Sequence, residues 1–174
     1  VSEAALQSAT PAPGRSCGTC TLCCKLYDVP EAHTLAGDWC RQCAPGKGCK
    51  IWDARPAQCA AFNCLWLTQD WLGPEWKPEV AKIVFTMDPV TRFLMFQVDP
   101  GHPQAWRREP YFTHIRNWAA GAARENRHVL VLVNKRATLI LPNAECDLGV
   151  VGPNDRFSVK LDAKGQYQVQ MQRG

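Results

Sequence analysis

Nine cysteines between Cys17 and Cys64 constrain this chain more than anything else in it. They run as Cys17-x-x-Cys20-x-x-Cys23-Cys24, then Cys40-x-x-Cys43, then Cys49, Cys59 and Cys64. That is about one residue in five, well above the ~8–10% that already marks a cysteine-built scaffold. A loop-rich segment of this size buries too little apolar surface to offset its conformational entropy, so it needs cross-links or a metal. Three chemistries can supply them: thiolate-held zinc, an iron–sulfur cluster, or a disulfide framework.

The spacing favours a metal. A C-x-x-C turn directs two sulfurs to one point and is the basic unit of tetrahedral zinc sites. Cys17/Cys20 and Cys40/Cys43 are two such units, and the flexible Ala44–Gly48 loop brings Cys49 up behind the second. Eight sulfurs would fill two four-thiolate sites; four would hold one cluster. Adjacent Cys23 and Cys24 are expected to diverge, because neighbouring side chains of an extended chain point to opposite sides. They would therefore serve two centres, or one of them is a buried thiol. C-x-x-C-x-x-C also opens a bacterial ferredoxin run, which would continue x-x-x-C-P; here Cys24 follows at once. Disulfides suit secreted domains, but residues 1–14 have neither a basic n-region nor an apolar h-region. The sequence reading is thus a metal module in a cytoplasmic protein, with two zinc ions as first choice and a [4Fe-4S] cluster as alternative. The ligand set is Cys17, Cys20, Cys23, Cys24, Cys40, Cys43, Cys49, Cys59 and Cys64, with Cys64 the weakest member.

The motif Cys17-Gly-Thr-Cys-Thr-Leu-Cys-Cys24, followed by Cys40-Arg-Gln-Cys43 and Gly48-Cys-Lys-Ile-Trp-Asp-Ala-Arg-Pro-Ala-Gln-Cys59, resembles the CxxCxxCC family of zinc- or iron-chelating bacterial proteins. The resemblance covers about residues 16–67 and implies metal chelation without fixing the metal. Flagellin lysine-N-methylases share the opening motif, but the glycine-rich methyl-donor loop is not found here, so that activity is not carried over.

Beyond the cysteines the chain reads as an ordinary globular protein, 46% hydrophobic and 21% charged. Residues 1–15 read as a loose leader and 16–77 as the cysteine module, with 71–78 connecting it to an α+β half at 78–174. A helix is expected over Ala57–Leu67, started near Pro56. Ala81–Met87 and Arg92–Val98 form a hairpin, and Tyr111–Asn126 an amphipathic helix with Ile115, Trp118, Ala119 and Ala122 on one face. Strands are expected at 128–133, 137–141, 157–161 and 166–171. The fold class is α+β: a small, mostly antiparallel sheet with one long helix, joined to a loop-rich metal module.

Net charge is +4, all of it in the second half and without a Lys/Arg run, which argues against nucleic-acid binding. No apolar stretch is long enough to span a membrane. His33, between the cysteine groups, reads as a solvated loop residue, and His102, His114 and His128 receive no role. Arg55 is a candidate to hydrogen-bond thiolates, and Trp52 and Trp66 to wall the site. Cys146, in the polar stretch Asn143–Asp147, is expected to have no metal role. No Ser/His/Asp order, phosphate loop, H-E-x-x-H or carboxylate pair stands out. A protein partner, or an oxidoreductase or modifying site between the halves, remains an alternative expectation.

Overall fold

The computed structural model describes residues 10–174. The cysteine segment holds only short elements: helix α1 (Cys23–Leu26), the two-residue strands β1 (Cys43–Ala44) and β2 (Gly48–Cys49), and helices α2 (Ala57–Ala61) and α3 (Leu65–Thr68). Each is too short to persist without tertiary support. The helix expected over 57–67 is therefore two helices, broken by extended backbone at Phe62 and Cys64 (ψ 124° and 156°). The cause is packing. Helix α2 buries no side chain, whereas Phe62 turns inward onto Tyr27 (ring centroids 4.8 Å apart) and packs against Leu22 and Leu26.

Helix α4 (Pro78–Ala81) leads into a five-stranded sheet of β3 (Ile83–Met87), β4 (Leu94–Val98), β5 (Val129–Val133), β6 (Arg136–Ile140) and β7 (Glu145–Val150), arranged in chain order. The expected hairpin is present, with Ile83 opposite Val98 and Met87 opposite Leu94. Its turn is fixed by the Asp88 carboxylate, which accepts from the Val90 and Thr91 amides and the Thr91 hydroxyl. Helix α5 (Tyr111–Arg124) lies in the crossover between β4 and β5, which pair in parallel; the other pairings are antiparallel. The chain is α+β. Among the described residues, no helix is long and apolar enough to cross a membrane.

Side-chain alternation gives the sheet two apolar faces. Ile83, Phe85, Phe96, Val98, Val129, Val131 and Ile140 meet Ile115, Ala119 and Ala122 of α5. On the other face, Leu130, Leu132, Ala137, Leu139 and Leu148 are covered by a separate hairpin of β8 (Arg156–Leu161) and β9 (Tyr167–Gln172), through Phe157, Val159, Val169 and Met171. Val84 also points to this second face and receives Leu22 and Leu26 of the cysteine segment. An ion pair between Lys25 Nζ and the buried Asp99 carboxylate, 2.7 Å long, fastens α1 to the end of β4.

Three expectations change. Residues 145–150 form strand β7 rather than a polar loop: exposed Glu145 and Asp147 alternate with Cys146 and Leu148, which face inward. The 71–78 segment is more than a connector, because Leu72 and Trp76 are each only 1% exposed within the main core. The leader is docked at its described end, residues 1–9 lying outside the described residues. The Ala12 amide donates to Leu67 O at 2.8 Å. The Arg15 guanidinium donates to the carbonyls of Trp66, Gln69 (2.7 Å), Asp70 (3.2 Å) and Leu72, and lies over the Trp66 ring. It thereby satisfies the orphan carbonyls where α3 ends. Arg15 ties the chain just before the first cysteine to the chain just after the last of the nine.

Candidate metal centre

Both C-x-x-C units fold as tight turns, with Cys20 N donating to Cys17 O at 2.8 Å and Cys43 N to Cys40 O at 2.9 Å. Gly18, with φ +51°, supplies the left-handed position in the first. Cys40 N donates to Cys24 O at 3.0 Å, which pins the second turn to α1. Antiparallel pairing of β1 and β2 sets Cys43 directly opposite Cys49. The break after α2 separates Cys59 from Cys64 and leaves Cys64 at the start of α3.

Together these elements set all nine cysteines around one cavity of ≈ 470 Å³. Among its described lining residues there is no Asp, Glu or His. Arg55 lines it too, its guanidinium 3.7 Å from the centre of the Trp52 ring, and Trp66 forms part of the wall. His33 is exposed and is not among the lining residues. Cys146 stands apart on β7, bordering a second cavity of ≈ 430 Å³ between that strand and the β8–β9 hairpin. None of the ten cysteines is in a disulfide. Among the described residues, no three Cys, His, Asp or Glu side chains are drawn together tightly enough to hold a metal ion. The cavity gathers the sulfurs without closing them on a point.

Cys23 and Cys24 depart from expectation. They lie in the first turn of a helix rather than in an extended chain. Just before them, Thr21 Oγ1 accepts from the Gly46 amide at 3.0 Å, which ties the loop after the second C-x-x-C turn to the first cysteine run. Thr21 and Arg15 were not singled out in the sequence, since neither carries a metal-ligand signature.

The thiols sit in surroundings that oppose ionisation. Interaction with the neighbouring Cys23 thiol, and then burial, push Cys24 far above the usual thiol range. Burial followed by the neighbouring Cys24 raises Cys43 to about 12, and burial raises Cys64 to about 11. Cys17, Cys20 and Cys59 are raised, chiefly by burial, with Arg55 acting in the opposite sense on Cys17 and Cys59.

Comparison with protein families, with curated proteins and with solved structures gives no match for this chain. Function therefore rests on the site itself.

A serine at Cys146 should leave the metal content of the protein unchanged and cost at most about 1 kcal/mol of packing, because the residue is only partly buried at the edge of the second core. Metal analysis and a denaturant melt of C146S check this; loss of one metal equivalent would show that the strand reaches the cysteine cavity.

Proposed function

We propose that the nine-cysteine cavity binds metal, with thiolates from Cys17 to Cys64 holding two zinc ions whose role is mainly structural. The observation that carries this reading is the convergence of every cysteine in the segment on one cavity whose described lining includes no carboxylate or imidazole. The donor set fits the group. Soft sulfur ligands select zinc, copper(I) or iron–sulfur centres over hard cations, and a bound cation supplies the positive charge that crowded, buried thiols need in order to ionise. Zinc with four thiolates has no open position for water, so the chemistry supported is scaffolding rather than catalysis. The resemblance to the CxxCxxCC chelating proteins points the same way, and a reducing compartment such as the cytoplasm would keep the thiols available.

The continuity of the cavity favours a second reading, an iron–sulfur cluster serving electron transfer or redox sensing. Purification without air followed by elemental analysis and a visible spectrum separates the two. A colourless protein with two zinc per chain supports the first; brown colour with iron and acid-labile sulfide replaces it by the second. A metal-free protein with all ten thiols titratable in the folded state would overturn both.

A further inference from the structure

Part of the wall of the nine-cysteine cavity is chain that precedes the cysteines. Pro11, Arg15 and Ser16 line it, as do Trp66 and Leu67 of α3. This stretch is a pre-shaped turn. The Arg15 amide donates to Ala12 O at 3.0 Å, and Pro13 and Gly14 take the two central positions. Gly14, at φ +73°, fills the left-handed position that a type II turn requires. The turn is held on α3 by the Ala12 amide, which donates to Leu67 O at 2.8 Å, and by the Arg15 guanidinium. That guanidinium donates to the carbonyls of Trp66, Gln69, Asp70 and Leu72, and lies 4.9 Å from the centre of the Trp66 ring. Further along, the chain is fixed again at Thr19, whose hydroxyl donates to Glu79 Oε2 at 3.1 Å, and at the Cys17–Cys20 turn. Ser16 and Gly18, both exposed, lie between the two anchorages, with Gly18 in a left-handed conformation at φ +51°.

We propose that residues 11–16 are a movable strap over the cysteine cavity, latched by Arg15, and that its undocking opens the cavity to metal. The role in metal passage rests on the metal-binding reading above; the strap itself does not. The latch has the chemistry for the task. A guanidinium is planar, always charged and carries five N–H donors in a fixed fork, so one side chain can engage several carbonyls at once. The acceptors are backbone oxygens left open where α3 ends. Arg15 therefore grips the helix that Cys64 caps, from a position just ahead of Cys17. With the latch released, the Ala12–Leu67 hydrogen bond and the small Ala12 side chain resist opening far less. The strap can then swing about Ser16 and Gly18 while Thr19 and the first C-x-x-C turn stay in place. Segments that open and close over a site in this way set the rate at which ligands pass.

The test is thiol labelling of the full chain as purified, with metal content measured in the same samples. A C146S background removes the cysteine outside the cavity, so that every remaining thiol lines it. The probes are the small methyl methanethiosulfonate and the bulkier dithiobis-nitrobenzoate. Arg15→Ala should speed reaction with the bulky probe by about tenfold or more, the effect of losing one charged hydrogen bond, and with the small probe much less. Zinc should pass to a chromogenic chelator faster by a similar factor. Arg15→Lys, whose single ammonium reaches fewer carbonyls, should fall in between, and it carries the test where the alanine variant does not fold. Hydrogen exchange in Arg15→Ala should rise over residues 10–18 and 66–72 and stay at the wild-type level in α1, β1 and β2. Wild-type labelling rates in both variants would overturn the strap. So would faster exchange across all of 17–64, which would make Arg15 a structural tie of the whole module. Faster labelling with unchanged zinc transfer would overturn the role in metal passage. Size-dependent labelling in a wild-type chain that takes up no metal would overturn the metal-binding reading and leave the strap standing.

Discussion

On the proposed metal-binding reading, stripping the metal should unfold residues 17–64 and leave the five-stranded sheet standing. The only apolar side chains classed as buried in that stretch are Leu22, Leu26, Val29 and Cys43. Three aliphatic side chains and one thiol are too little buried apolar surface to offset the conformational entropy lost in ordering a segment of this length. Helices of four and five residues and a pair of two-residue strands do not close that gap. Metal bound by structural thiolates in small modules supplies on the order of 10 kcal/mol of folding free energy. The boundary should fall between Cys64 and Leu65, not near residue 77, because Leu65, Leu72 and Trp76 belong to the core of the sheet. Hydrogen exchange read by mass spectrometry checks this: after chelation, amides of 17–64 should exchange within seconds, while those of β3 to β6 stay protected. Unchanged protection across 17–64 in metal-free protein would remove the structural role of the metal, and simultaneous loss over the whole chain would remove the boundary.

What the sequence made legible follows from the range of the interactions involved. Long periodic elements were readable: α5 and the β3–β4 hairpin sit within two residues of expectation, because their buried faces recur at helical or strand spacing. The nine cysteines were readable as a group from the C-x-x-C units alone, and the structure does bring them to one cavity. Elements fixed by partners distant in sequence were not readable. Strand β7 carries alternating charges, and its pairing depends on β6 with a bulge at Ala137/Thr138, which local propensity does not reveal. The break at Phe62 depends on Tyr27, and the docking of residues 12 to 15 on carbonyls more than fifty residues away. The geometry of Cys23 and Cys24 was missed for a related reason. Their helix is only one turn long and leaves no periodic trace, so the extended-chain argument had no competitor.

Replacing Trp76 with alanine should be the most damaging single change in the sheet half. The side chain is 1% exposed and sits at the centre of an aromatic group. Its ring packs on Phe85 and Phe96 of the sheet and on Tyr111 and Trp118 of α5, with centroids 5.0 to 6.0 Å away, and stacks on His114. Its Nε1–H donates to His114 Nδ1 at 3.2 Å, which requires that nitrogen to be unprotonated. Truncation removes a large buried surface, leaves a cavity between two layers that cannot both collapse, and strands an imidazole acceptor. Phe or Trp to Ala changes in cores cost ~3–5 kcal/mol, a large share of the ~5–15 kcal/mol that holds most domains together. For a chain of this size the midpoint of thermal unfolding should drop by roughly 6–20 °C, at ~2–4 °C per kcal/mol. Trp76→Phe should recover more than half of the loss, since a ring still fills the centre and only the indole hydrogen bond and part of the volume are missing. Trp71→Ala serves as the contrast. Trp71 is 38% exposed and meets Trp118 edge-on at 5.9 Å, so its loss should cost under about 1.5 kcal/mol. Denaturant melts of the three variants give the ordering. A shift below 1 kcal/mol for Trp76→Ala would mean that residues 71–78 act as a simple connector after all, and that α5 and the sheet hold each other without the segment that leads out of the cysteine module.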